Sequence, residues 1–509
     1  MLARVLSFAL DGISGYPVTV EANVSGGMPS FDIVGLPDAA VKESRERVRA
    51  ALANSGFSLP FTRIIVNLAP ADTKKTGPAF DLPIALAILY ASEQLRGDPP
   101  EKLVLLGELS LGGELAPVRG ALPMALSALQ QGYTRLLVPA QNAPELACAE
   151  GAQVYPAATL RQVADALTGG QPIAAQPPKK FVDLLRAHED VNDLSLVIGQ
   201  PVAKRALEIA AAGAHSLLLV GPPGTGKTML ARCLPGLLPE MTLEESLETT
   251  RIHSAAGLLP PGAGLLTSRP FRAPHHSASL AALVGGGRDA HPGEITLAHN
   301  GILFLDELPE FQRDTLDGLR QPLEDGFVTI SRANSRSSYP ARAMLVASMN
   351  PCPCGYLGSR THACRCTPQA VQRYQGRVSG PLLDRIDLRV EVGEVPQEAL
   401  RQGASGESSA QVRGRVSEAR ARQQRRYEGA GLYANAQIGA RQLSRFCRLD
   451  AESERLLEMA ATRWGLSMRG RARVMKLART IADLDASGDI QSKHVAEALQ
   501  FRMGGMGRG

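Results

Sequence analysis

Gly221-Pro222-Pro223-Gly224-Thr225-Gly226-Lys227-Thr228 is the stretch from which the rest of the chain is read. It follows the apolar run Ser216 to Val220, which reads as a buried strand, and leads into Met229 to Leu234, which reads as the first turns of a helix. Strand, glycine loop and helix in that order make a phosphate cradle. A side chain at Gly221, Gly224 or Gly226 would block the approach of backbone N–H groups to phosphate oxygens or forbid the angles that aim them. Lys227 then reaches the β and γ phosphates, and Thr228 offers its hydroxyl to Mg²⁺. The bland reading is a Gly/Pro turn between two core elements, and the full set of motif positions with both flanks argues against it.

A chain of 509 residues exceeds what one core supports, so two to four domains are expected. The apolar share of 44% is that of an ordinary globular protein, and the longest apolar run, Leu82 to Ala91, falls well short of a membrane span. No signal peptide is apparent at Met1 to Leu10, so a cytoplasmic location without membrane contact is the expectation. Net charge is only +5, which by itself implies no nucleic acid. Locally, Arg413, Arg415, Arg420, Arg422, Arg425 and Arg426 fall on one helical stretch, most simply a solvated face. With aromatics at 4%, if DNA is a partner, phosphate contact by Arg and Lys is a better source of binding energy than base stacking.

A second motif completes the cradle. Ile302-Leu303-Phe304-Leu305-Asp306-Glu307 places two acids at the C-terminal edge of a parallel sheet, where ligands of open α/β folds bind. Asp306 is expected to hold Mg²⁺ and Glu307 to polarise the attacking water. The strand Met344 to Ser348 ends at Asn350, placed as a polar sensor of the γ phosphate. Between cradle and carboxylates, Phe271-Arg272-Ala273-Pro274-His275-His276 lies in a Gly- and Pro-rich insertion; the histidines read as a polar hinge or packing pair rather than metal ligands. After the carboxylates, Phe327 to Arg332 and Tyr339 to Val346 read as a hairpin made basic by Arg332, Arg336 and Arg342, candidate contacts to a nucleic-acid backbone.

Cys352, Cys354, Cys364 and Cys366 form two Cys-x-Cys pairs able to close a tetrahedral structural Zn²⁺ site, with His362 as a substitute ligand; free thiols and a redox switch are the alternatives. In Ser379-Gly380-Pro381-Leu382-Leu383-Asp384-Arg385-Ile386-Asp387, Arg385 is placed to enter a neighbouring subunit's site, unless an ion pair with Asp384 or Asp387 claims it. Ser467-Met468-Arg469-Gly470 opens a helix, with Arg469 as second sensor and Arg473 in reserve.

Residues 1–168 resemble the proteolytic domain of Lon-type proteases in their succession of strands and helices. The chemistry is missing, because Ala79 stands at the nucleophile position and Leu122 where the lysine base is expected. A scaffolding, oligomerising or substrate-docking role follows. Residues 169–190 read as a Gly/Pro/Gln linker, 191–400 as an ATPase core and 401–509 as a helical region and lid. Gly199-Gln200, ahead of the phosphate loop, looks like the adenine pocket of the AAA+ class. Together these motifs resemble the magnesium-chelatase-like branch of the AAA+ ATPases, and within it the ComM/YifB group of competence-related proteins. The fold implied is α/β: a P-loop parallel sheet with a helical lid, behind an α+β Lon-like domain. The function implied is that of an ATP- and Mg²⁺-dependent homo-hexameric motor that promotes DNA branch migration in natural transformation, alongside recombination proteins. A metal-chelatase motor subunit and a protein-remodelling chaperone are the alternatives.

Overall fold

The structure, a computed structural model, describes residues 1–185, 192–286, 291–331, 336–402 and 406–503. The chain forms two compact units. The first comprises the described residues within Met1–Arg186, Thr242–Thr267 and Ala333–Tyr339, and the second those within Ala187–Met241, Ser268–Arg332 and Pro340–Gly509.

The first unit is built on a mixed sheet of β1 (Leu2–Asp11), β2 (Ser14–Ser25), β3 (Ser30–Val34), β4 (Arg63–Ala69), β5 (Leu103–Leu105), β6 (Arg135–Pro139) and β7 (Gln153–Ala157), in the order β3-β4-β2-β1-β5-β6-β7. Alternation decides its buried face: Val18, Val20 and Ala22 on β2 and Ile64, Val66 and Leu68 on β4 all point into the core. Helices α1 (Ala39–Asn54), α2 (Asp81–Ala91), α3 (Ala121–Gln130) and α4 (Leu160–Leu167) complete the front part. The apolar run read from the sequence is α2, and every one of its residues is buried. Its first residue, Asp81, is a buried carboxylate held by the Arg47 fork at 2.7 and 3.1 Å and by the Leu109 N–H. Ala79 and Leu122 lie in one apolar cluster with Phe8, Val104 and Leu106. Neither offers a group that could attack or deprotonate.

The second unit carries a five-stranded, all-parallel sheet: β8 (Leu217–Val220), β9 (Phe271–Arg272), β10 (Ile302–Leu305), then β13 (Met344–Met349) and β14 (Leu388–Glu391), in the order β9-β10-β13-β8-β14. Between β10 and β13, β11 (Phe327–Ser331) and β12 (Arg336–Pro340) pair as a separate two-stranded sheet. The returning strand of the hairpin therefore ends at Pro340, and Met344 to Val346, read from the sequence as part of it, belong to the core sheet. Helices α5 (Pro201–Gly213) and α6 (Lys227–Leu237) flank the phosphate loop.

One segment departs from the order of the chain. Helix α7 (Leu243–Ala256), capped by a reciprocal Thr242/Glu245 box, follows α6 yet clusters with the first unit. The Arg119 guanidinium donates to the Ala256 carbonyl at 3.0 Å, and Gly120 N–H to the Ser254 carbonyl at 3.0 Å. The C-terminal part is helical: α8 (Ser409–Arg426), α9 (Ala451–Trp464), α10 (Met468–Leu484) and α11 (Ser492–Met503). Arg425 is exposed, but the other α8 arginines are not a solvated face. Arg413 caps the Gly236 carbonyl, Arg415 joins Glu208 and Glu407, Arg420 reaches the Ala211 carbonyl, and Arg426 forks onto the buried Asp483. Only the run's periodicity is visible in sequence; its acceptors come from α5, α6 and the helix that carries Asp483, and from Glu407 just ahead of α8. No helix among the described residues is long and apolar enough to cross a membrane.

Candidate functional site

The phosphate loop leaves β8 at the C-terminal edge of the sheet. Gly221 is obligatory for space, because a Cβ there would come within 2.1 Å of the Val392 carbonyl oxygen. Gly224 and Gly226 are needed for their backbone angles, with φ of +76° and +87°. Thr225 closes the loop by donating to the Pro222 carbonyl at 2.9 Å. Lys227 begins α6, and its ammonium curls back to the Gly221 and Pro222 carbonyls at 2.7 and 2.8 Å and to Asn350 Oδ1 at 3.1 Å. Burial lowers its pKa, with Asp306 and Glu307 opposing.

Both carboxylates follow β10, which is separated from β8 by β13 in the sheet. Thr228 Oγ1 donates to Asp306 Oδ2 at 2.9 Å, so the two expected Mg²⁺ ligands already touch. Ser348, which sequence reasoning missed, donates to the other oxygen, Asp306 Oδ1. Strand register explains it: Leu305 pairs with Ala347, so one step further Asp306 faces Ser348 across the β10–β13 ladder. Glu307 turns out of the strand at φ +53°, and its N–H donates to Asp306 Oδ1 at 3.1 Å. Left-handed backbone at a non-glycine residue is strained, and it takes the chain out of the strand direction at Glu307. Lys227, Thr228, Asp306, Ser348, Glu307 and Asn350 thus occupy one sheet edge. The loop's glycine approach, the lysine and the Thr–Asp pair fit a nucleotide triphosphate with Mg²⁺.

Gly199 and Gln200 both take left-handed backbone, at φ +66° and +56°, and Gln200 Nε2 donates to the Gly393 carbonyl at 2.6 Å. This seats them against the segment that follows β14. Arg385 is closed on its own chain: its guanidinium pairs with Glu324 and donates to the Pro381 carbonyl. The intrachain partners weighed from sequence are engaged elsewhere, Asp384 by Arg502 and Asp387 by Arg473 at 2.5 Å. Arg469 is largely exposed and stands 3.9 Å from the same Glu324. Glu324 therefore lies between both arginines, a relation no linear motif shows.

The four cysteine sulfurs gather in one cluster, all within 4.8 Å of one another. Cys352 lies 3.4 Å from Cys354 and 3.7 Å from Cys364, and Cys354 lies 3.6 Å from Cys364. Four thiolates at a Zn–S distance of 2.3 Å around one tetrahedral ion stand about 3.8 Å apart, close to these separations, so the donor set fits zinc. The Tyr356 and Arg365 backbone N–H groups pull the Cys354 thiol down to about 6. His362 is engaged with Thr361 and stacks on Tyr356, outside the cluster. The cluster also abuts the phosphate loop, since a Cβ at Gly355 would meet Pro223 Cδ at 2.7 Å.

Of the hairpin arginines, Arg332 lies outside the described residues, and for Arg336 only the backbone, in β12, is described. Arg342 lies over the Tyr433 ring at 5.2 Å, and its N–H donates to His299 at 3.1 Å.

Comparison with known families adds three matches: "Magnesium chelatase, subunit ChlI" over residues 193–400, "Subunit ChlI of Mg-chelatase" over 20–142 and "Magnesium chelatase, subunit ChlI C-terminal" over 406–502. Competence protein ComM of Haemophilus influenzae is 48% identical over 98% of this chain and 97% of its own length. The chain belongs to the magnesium-chelatase-like ComM/YifB family. Uncharacterized protein YifB of Escherichia coli is 46% identical over the same shares. The Magnesium-chelatase 38 kDa subunit of Rhodobacter capsulatus is 27% identical, over 40% of this chain and 56% of its own length.

Proposed function

We propose that this protein is an ATP-hydrolysing motor that works as a homo-hexamer on branched DNA and promotes branch migration during uptake of incoming DNA. The observation that supports the ATPase reading is the convergence of Lys227, Thr228, Asp306, Glu307 and Asn350 on one edge of the parallel sheet. The DNA reading is supported by near end-to-end likeness to a protein named for competence. The chelatase subunit shares a smaller part of the chain, which favours the DNA motor over the chelatase motor.

In this reading Mg²⁺, when bound, neutralises charge on the phosphate oxygens. Thr228 and Asp306 would hold it, and the Ser348 hydroxyl keeps the Asp306 carboxylate turned towards Thr228. Lys227 exchanges its carbonyl partners at Gly221 and Pro222 for phosphate, with Asn350 retained as its side-chain guide. Glu307 accepts the proton of the attacking water. Arg385 acts in a neighbouring subunit, which requires that it leave Glu324. The first unit, apolar at Ala79 and Leu122, is a Lon-like scaffold without hydrolytic chemistry. The four-cysteine cluster holds structural zinc.

The test is ATP turnover with and without a synthetic four-way junction, scored together with strand exchange on the same junction. Junction-stimulated turnover with strand exchange supports the motor. Turnover indifferent to DNA, or no strand exchange at any salt, overturns it.

A further inference from the structure

His275 and His276 belong to no function described so far, and the fold explains where they end up. β9 lies beside β10 in parallel, with Phe271 opposite Ile302 and Arg272 opposite Leu303. The strand is short, but it is pinned: Phe271 stacks on Phe304 at 5.8 Å, and the Arg272 guanidinium forks onto Glu294 at 2.6 and 2.8 Å. Counting on from that register, Ala273 and Pro274 run level with the end of β10, and the two histidines reach the level of Asp306 and Glu307. A turn then closes, with Ala278 N–H donating to the His275 carbonyl at 2.9 Å.

The result is that His276 Nδ1 stands 3.9 Å from Glu307 Oε2. Its ring is held from two sides, by the His275 ring at 4.0 Å and by the buried Phe311 ring at 6.5 Å, edge to face. Phe311 follows the carboxylate strand, so the imidazole and the carboxylate it faces are fixed by the same element. A separation of 3.9 Å exceeds a hydrogen bond by a small side-chain rotation, and contacts to catalytic groups often tighten only when substrate is bound. Glu307 needs such a guide, because its carboxylate leaves the strand through a left-handed turn and is half exposed.

We propose that His276 is a positioning residue for Glu307: its Nδ1 edge orients the carboxylate that accepts the proton of water, and His275 backs the ring. This rests on the ATPase reading above and adds a second layer to that site.

Steady-state ATP turnover and binding of a fluorescent ATP analogue, measured on wild type, His276→Ala, His276→Asn, Glu307→Gln and the double variant His276→Ala/Glu307→Gln, test it. Asparagine is the conservative replacement because its side-chain nitrogen falls near the position of Nδ1. The expected result is a fall in kcat of about tenfold for His276→Ala, with KM and analogue affinity within about twofold of wild type and most of the rate recovered by asparagine. In the Glu307→Gln background the alanine change should have no further effect. Unchanged kcat in His276→Ala, an equal loss in analogue affinity, or additive losses in the double variant overturn the inference while leaving the ATPase reading intact. A wild-type chain that does not turn over ATP overturns both.

Discussion

Lys227 and Glu307 differ in what their removal takes away. Lys227 is tied to the loop carbonyls and to Asn350, so it holds charge in place before any reaction; the Glu307 carboxylate instead faces the His276 edge, while its N–H is held by Asp306 and Ser348. Lys227→Ala is therefore expected to lose both analogue binding and turnover, whereas Glu307→Gln should keep binding and lose about 100-fold or more in kcat. Filter binding alongside phosphate release checks this, and comparable turnover in either variant refutes the site. A different residue-scale effect concerns pH. His215 is fully buried between Asp387 Oδ2 at 3.2 Å and Thr480 Oγ1 at 2.7 Å. Burial pushes its pKa down against the pull of Asp387, and Lys476 and Arg420 push the same way. Burial would raise Asp387, but the His215 hydrogen bond and the Arg473 and Lys476 charges outweigh it and hold the carboxyl far below its usual range. Both groups bind fewer protons folded than unfolded, so the His215 contribution is lost as pH falls below the unfolded histidine value of about 6.5, and that of Asp387 only below the unfolded carboxyl value of about 3.9. Tm should drop from about pH 7.5 to about pH 5, and His215→Gln should flatten that drop. Parallel pH profiles for the two proteins would contradict this.

At the scale of elements, two loops and one helix carry what local patterns do not express. The cysteine loop packs on Pro223 through Gly355, so zinc bound there would brace the phosphate loop as well as its own turn. Purified protein should carry about one zinc per chain, and Cys364→Ser should release it and lower Tm; metal content by mass spectrometry that stays at zero in metal-replete preparations rules it out. Helix α8 is anchored at Asp483, a fully buried carboxylate taking Arg426, Arg479 and Asn435. Asp483→Ala removes the carboxylate that the Arg426 fork needs, while Arg479 keeps the Ser487 and Gly488 carbonyls and Asn435 keeps Thr480, and a destabilisation of about 3–5 kcal/mol is expected from denaturant unfolding. A change below about 1 kcal/mol would show that the arginines find other acceptors. The hairpin illustrates the opposite case. Its existence was legible from two strand-like stretches, but the second was drawn from Tyr339 to Val346, across the break at Ala341 to Ala343 that separates β12 from β13.

At the scale of the whole molecule, the proposed motor needs a neighbour. Arg385 is closed on Glu324 in the single chain, so a subunit with an intact Arg385 and a defective cradle should complement one with the reverse defect. Mixing Lys227→Ala with Arg385→Ala chains should recover part of the turnover that each lacks alone; no recovery in mixed assemblies places Arg385 in a structural role.

The sequence alone determined the cradle, the carboxylate strand and the cysteine set, because each is a short contiguous motif whose geometry follows from local backbone rules: glycines where φ is positive, acids where a buried strand meets solvent, thiols paired across a turn. Tertiary structure alone decided which groups those motifs meet. Ser348 on Asp306, His276 beside Glu307, Glu324 between Arg385 and Arg469, and Asp483 under Arg426 all join segments well separated in the chain. Their pairing is set by sheet register and helix docking, and those depend on the packing of the whole core, which no local spacing encodes.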